Sequence, residues 1–174
     1  MSEAIVKDSN VVFKNLEVLV KHLFSLEQNL SPIKLQKSLY FLFAYYGATY
    51  GSIGKDLSND NKIEETTVYP KYLFNANFEA WKYGPVIHEV YSKNKDNGYE
   101  AEKYEPVDSK ETEVLSYLNE TFKQLNEISD FGLVERSHLD KSWKEPYSQY
   151  KEGETTSQGM NSDSIIEEYR NEYL

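Results

Sequence analysis

One segment constrains this chain more than any other. Ser31-Pro32 is a helix start: a serine at the cap accepts a free backbone N–H, and proline costs nothing at the first helical position, where its missing N–H has no partner anyway. The residues that follow, Ile33 to about Tyr46, are apolar nearly all round, with Leu35, Leu39, Tyr40, Phe41, Leu42, Phe43, Tyr45 and Tyr46. A helix of that kind has no face to offer water, so it runs through the middle of a fold with other elements packed about it. Gly47 and Gly51 end it.

The flanking sequence supplies those other elements. Val12, Leu16, Leu19, Val20 and Leu23 fall at helical spacing and form one buried stripe. Residues 52–69 carry turn formers and charges without a stripe and read as a long mobile loop. Phe74, Ala76, Phe78 and Ala80 alternate, which suits a short strand, and Tyr83-Gly84-Pro85 reads as a turn that launches a helix from Val86 to about Ser92. Asp108-x-x-Glu111 is a capping box for a helix whose stripe is Val114, Leu115, Leu118, Phe122 and Leu125. Residues 128–136 and 137–150 read as two short helical pieces, interrupted near Gly132 and His138. Residues 151–160 read as exposed, and Ser164-x-x-Glu167 as the cap of a last helix carrying Ile166, Tyr169 and Tyr173. The expectation is a mainly α, compact helical domain over 1–174, of about six to seven helices, with one short β-hairpin around residues 66–82.

Length and composition fit that expectation and exclude several functions. A chain of 174 residues is of single-domain size and long enough to bury a core of its own, and 15 Tyr, 8 Phe and 2 Trp supply the material. The absence of cysteine excludes disulfides, thiol nucleophiles and Cys-ligated metals. No stretch reaches the ~18 apolar residues of a membrane span, and the first residues lack the pattern of a secretory leader, so a cytoplasmic location is expected. Residues 1–99 hold 11 basic and 11 acidic side chains, whereas residues 100–174 hold 8 and 18, so the net charge of −10 resides wholly in the C-terminal part. That field repels phosphate backbones and argues against direct nucleic-acid binding. It serves either as a solvated face that maintains solubility or as a surface for a basic partner, such as a nuclease.

Catalytic constellations are scarce. Of the three histidines, His22 lies one position off the first stripe and reads as a surface or boundary residue, while His88 and Glu89 are helix neighbours about 100° apart. His138 with Asp140 is half of a metal site without a second His or Cys at ligand spacing, and a hydrogen-bonding duty suits it better. Neither a phosphate-cradling glycine pattern nor a G-x-S-x-G elbow occurs. No enzymatic activity, metal or cofactor is expected; His88, Glu89 and Glu79 are the remaining candidates for one. Two aromatic-rich segments stand out instead, Lys34-Leu35-Gln36-Lys37-Ser38-Leu39-Tyr40-Phe41 and Glu79-Ala80-Trp81-Lys82-Tyr83-Gly84-Pro85-Val86. Most of their apolar residues read as core, but an indole or phenol beside a lysine stem is material for an interface anchor.

Taken with Ser137-His138-x4-Trp143-Lys144, these two segments resemble the Panacea domain, also described as SocA-like and phage-associated GepA-like, in order and approximate spacing over about residues 12–173. The resemblance implies a mainly helical antitoxin that binds and neutralises a toxin encoded beside it, often in a prophage; one branch looks like a proteolytic adaptor that delivers its toxin to a protease. It marks Lys34, Gln36, Lys37, Glu79, Trp81, Lys82, Tyr83, His138 and Trp143 as partner-binding positions, and Gly84 and Pro85 as a structural turn. An acidic phage-encoded inhibitor of a host nuclease, such as a CRISPR effector, is the alternative that charge and phage association suggest.

Overall fold

The computed structural model describes residues 10–53, 69–149 and 158–173. The mobile loop expected at 52–69 and the exposed stretch expected at 151–160 therefore fall largely outside the described residues. In chain order the elements are β1 (Val11–Phe13), α1 (Leu16–Leu26), α2 (Pro32–Ala48), β2 (Tyr72–Phe74), β3 (Phe78–Trp81), β4 (Gly84–Ile87), α3 (His88–Lys95), α4 (Ser109–Asn126), α5 (Asp130–Ser137), α6 (Lys141–Ser148), β5 (Gln158–Gly159) and α7 (Ser162–Tyr173). The mainly α expectation holds, with seven helices of eight or more residues among those described, but the strands exceed one hairpin.

The central helix is where its composition puts it. Ser31 caps α2, its hydroxyl accepting the Lys34 N–H at 3.0 Å, and every residue from Lys34 to Ala48 except Tyr45 is buried. Around it pack α3, α4, α5, α7, β2 and β4. The packing is aromatic: the Phe78 ring lies 5.6 Å from both Tyr40 and Phe43, and Tyr169 from α7 lies 5.3 Å from Tyr45, at edge-to-face angles that suit ring quadrupoles. Gly47 lets α7 approach, since a Cβ there would stand 2.4 Å from Ile166 Cγ1.

Several local expectations are corrected. Val12 belongs to β1, which runs parallel to β2 in the register Val11↔Tyr72 and Phe13↔Phe74; the first helix starts later, where Asn15 accepts the Glu17 N–H at 3.0 Å. The alternation 74–80 is split between β2 and β3. The hairpin is β3–β4, pairing Phe78↔Ile87 through Trp81↔Gly84, so it spans 78–87 rather than 66–82. Its turn is Lys82-Tyr83, and Pro85 lies in a strand instead of opening a helix. β4 is the edge of the three-stranded sheet β4-β3-β5, where a residue without an N–H is tolerated. Gly132 does not interrupt α5; it sits in the first turn and donates its N–H to Ser129 Oγ at 3.0 Å. The last helix is capped by Asn161, which accepts the Ser164 N–H at 2.9 Å; of the stretch expected to be exposed, Gly159 is exposed although it pairs with β3, whereas Met160 is buried. Among the described residues no helix is long and apolar enough to cross a membrane.

The capping box at α4 behaves as read. Asp108 accepts the Glu111 N–H at 2.8 Å, while the Glu111 carboxylate reaches back past the cap to the Val107 N–H at 3.2 Å. His22 is a correction: it is fully buried, its Nε2 2.8 Å from Asn119 Oδ1 and its Nδ1 accepting the Tyr104 N–H at 3.0 Å. It thereby ties α1 to α4 and to the segment that precedes α4.

Candidate partner-binding site

The three segments singled out in the sequence meet at one place, the β3–β4 hairpin. From α2, the Gln36 side chain completes the edge of β4: its Oε1 accepts the Ile87 N–H at 2.8 Å and its Nε2 donates to the Ile87 carbonyl at 3.2 Å. One turn-mate along, Lys37 Nζ donates to the Pro85 carbonyl at 2.8 Å. From the other side, Trp143 Nε1 donates to the Trp81 carbonyl at 2.9 Å, and His138 Nε2 lies 3.0 Å from the Lys82 carbonyl. The His138 ring stacks on Trp143 at 4.1 Å, which in turn stacks on Tyr147 at 4.6 Å. A hairpin this short is marginal alone, and side chains from α2 and α6, with His138 between α5 and α6, pin it down.

Gly84 is required at the pivot. Its φ is +105°, and a Cβ would stand 2.5 Å from Ser137 Oγ and 2.7 Å from Lys37 Cε. Both backbone conformation and space exclude a side chain. The turn assigned to Gly84 and Pro85 is therefore displaced by two residues, but the glycine's structural reason is plain.

What the pinned hairpin presents outward is aromatic. Trp81 is half-buried, with Tyr91 at 5.2 Å and His88 at 5.8 Å, and its Nε1 donates to Glu79 at 2.9 Å. Tyr83 is 50% exposed and meets the 62% exposed Phe131 of α5 edge-on at 6.4 Å, with Lys82 Nζ 5.6 Å from the Tyr83 ring. Between Trp81, Tyr83, Val86 and Tyr91 on one side and Pro32 and Ile33 on the other lies an apolar groove of about 160 Å³, with Gln36 and Lys37 contributing to its lining. Exposed rings gathered in one place are unusual on a surface and mark a contact face.

The structure separates the nine marked positions into two groups. Lys34, Gln36 and Lys37 are buried at 9%, 3% and 1% exposure and serve the interior. Lys34 Nζ donates to the carbonyls of Asn126 and Ile128 at the end of α4, where a cation suits the helix dipole. Trp143 is buried and His138 partly so, both spent on hairpin carbonyls. Trp81, Lys82 and Tyr83 face outward, with Glu79 beside Trp81. Burial pulls the Lys37 ammonium down to about 7. The three enzyme candidates are not gathered: His88 and Glu79 flank Trp81, whereas Glu89 lines a different cavity with Asn75, Asn77 and Lys93. Among the described residues no cluster of His, Asp and Glu suits a metal ion.

Two features escaped sequence reading. Phe131 and Ile33 belong to the exposed face, yet nothing in their local pattern distinguishes them from core residues. Asp140, read as half a metal site, is fully buried and accepts Tyr40 OH at 2.7 Å, Tyr169 OH at 2.6 Å and Arg136 at 3.0 Å. Burial, with the carboxylate beside them, raises both phenols.

Residues 62–144 match the family described as antitoxin SocA-like, Panacea domain. The match takes in β2 through α5 and the hairpin, and stops short of the α2 motif that seals β4. No curated protein and no solved structure matches the chain.

Proposed function

We propose that this chain, with its antitoxin SocA-like match over 62–144, is an antitoxin that neutralises a toxin by direct protein–protein contact, using the aromatic face of the β3–β4 hairpin. The observation that carries the reading is the location of that face: Trp81, Lys82, Tyr83 and Phe131 all lie within the matched residues and are turned outward. Residues buried to hold the hairpin supply rigidity, so little conformational freedom is lost when a partner docks. The protein acts stoichiometrically in the cytoplasm, with no bond made or broken at a site of its own. The acidic C-terminal part complements a basic partner surface and speeds encounter at low salt.

Co-expression with the neighbouring gene tests the reading. The expected result is that the neighbour arrests growth alone, that this chain restores it, and that the two co-purify. A harmless neighbour, or rescue without any complex, overturns it. Rescue that depends on a host protease and depletes the neighbour's product identifies the adaptor mode, and inhibition of a host nuclease with no effect on the neighbour identifies the anti-defence alternative.

A further inference from the structure

A second cavity, of about 390 Å³, opens where the β1–α1 connection, the β2–β3 connection and α3 come together. That volume is within the range of ligand sites. Phe13 and Val90 are buried behind it, and Leu16 and Tyr99 form a half-buried apolar wall. The polar groups divide by whether the fold already uses them. Asn15 caps α1, and Glu17 pairs with Lys93, whose ammonium also lies 5.0 Å from the Tyr99 ring. The side chains of Lys14, Asn75, Asn77 and Glu89 are exposed and make no hydrogen bond or ion pair among the described residues. The two uncommitted charges are of opposite sign, so the lining carries no net charge with which to select an anion or a cation. What it concentrates is amide chemistry. Ala76 packs against the core while Asn75 and Asn77 on either side of it line the cavity, as alternate residues of an extended segment do. A carboxamide carries a donor and an acceptor and so matches a peptide group. Gln36 makes that match with Ile87 inside this same fold. Alternate residues of an extended chain are about 6.6–6.8 Å apart, which is also the repeat at which a second extended chain presents peptide groups along one edge.

We propose that this cavity receives an extended, net-neutral segment of a partner polypeptide, its peptide groups hydrogen-bonded by the Asn75 and Asn77 carboxamides and one of its side chains set against Leu16 and Tyr99. Main-chain hydrogen bonds of this kind supply affinity with little demand on sequence, as they do when a strand is added to a sheet edge. The site is separate from the aromatic hairpin face: on α3, Glu89 and Lys93 border this cavity, whereas Tyr91 lines the groove beside Trp81. It goes beyond the antitoxin reading and does not rest on it.

A matched pair of peptides tests it on the ¹⁵N-labelled full chain. One is the capped peptide Ac-Lys-Val-Thr-Val-Glu-NH₂, net neutral and rich in strand formers; the other is the same peptide N-methylated at its three central amides. The side-chain NH₂ groups of Asn75 and Asn77 give their own ¹⁵N–¹H signals, so the contact is read at the groups that make it. The expected result is millimolar binding of the first peptide, because a short flexible ligand loses much of its contact energy to ordering. Both carboxamide signals shift, and the backbone amides of Tyr83 and Phe131 do not. The N-methylated peptide has lost its donors and is expected to bind at least about tenfold more weakly, as is the first peptide to Asn75→Ala with Asn77→Ala. Those two side chains are exposed and unbonded, so the double variant is expected to keep the fold, which its amide spectrum verifies. No shift at either carboxamide, equal binding of the N-methylated peptide, or undiminished binding to the double variant overturns the proposal. A chain that binds the peptide as expected but rescues no growth overturns the antitoxin reading and leaves this inference standing.

Discussion

The side-chain amide of Gln36 holds both peptide groups of Ile87, accepting from its N–H at 2.8 Å and donating to its carbonyl at 3.2 Å. A single glutamine thus stands in for the next strand of a sheet, on an edge that would otherwise be buried against α2 with the Ile87 N–H orphaned. The arrangement accounts for a polar residue at 3% exposure in the most apolar helix of the chain.

Replacing Gln36 with Leu keeps the volume and removes both hydrogen bonds. The buried Ile87 N–H is left without a partner, while the Ile87 carbonyl, at the N-cap of α3, keeps its place in the first helical turn, so the expected loss is about 1–3 kcal/mol. Chemical denaturation checks this, with a lowered midpoint and an unchanged slope as the outcome; a loss under about 0.5 kcal/mol contradicts the strand-mimic reading.

Gly84→Ala places a Cβ at a φ of +105°, 2.5 Å from Ser137 Oγ. Strain of about 1–3 kcal/mol from the backbone adds to the steric clash, so the variant is expected to unfold at markedly lower temperature. Thermal melting of the purified variant reads the effect directly.

Lys37 sets a pH dependence whose sign follows from its shift. Its folded pKa of about 7 lies below the ordinary lysine value, so between about pH 7 and 10 the unfolded chain binds the extra proton. Raising the pH through that window therefore increases stability, on the order of 1 kcal/mol per pH unit from this group. Above about pH 10 the trend reverses, because Tyr40, Tyr46 and Tyr169 are raised in the fold and their stabilisation is lost as the unfolded phenols ionise. Denaturation across the window should show the wild type gaining on Lys37→Met as pH rises; parallel curves would refute the assignment.

Asp140 holds two phenols and a guanidinium at zero exposure. Asp140→Asn keeps the shape but puts an N–H₂ among donors and takes the carboxylate from Arg136, at an expected cost of about 3–5 kcal/mol. Tyr169→Phe should cost only about 1–2 kcal/mol. A double-mutant cycle between Tyr40→Phe and Tyr169→Phe is expected to show coupling, since both donate to the same carboxylate oxygen.

The outward rings should behave oppositely. Tyr83→Ala with Phe131→Ala removes side chains that are 50% and 62% exposed, so stability is expected to change by less than about 1 kcal/mol. Growth rescue and co-purification with the neighbouring product are expected to be lost. A stable double variant that still rescues growth removes this face from the interface.

Local chemistry was readable wherever neighbours in sequence decide the outcome. The Ser31-Pro32 start, the Asp108 cap, the central position of α2 and the stripe of α4 follow from capping geometry and from helical periodicity, which act over three or four residues. The match over 62–144 bears out the family resemblance read from the motifs across that span. What those motifs do was not readable. The family resemblance marked Lys34, Gln36 and Lys37 as partner-binding positions, and only the packing of β4 and the end of α4 against α2 turned them inward to satisfy backbone groups 48 to 94 residues away. Pro85 read as a helix start because its fixed φ suits one, and only its place on a sheet edge made it a strand residue. Hydrogen bonds between distant segments decide which polar residues of this chain are buried, and a contact made across the fold leaves no period in the sequence.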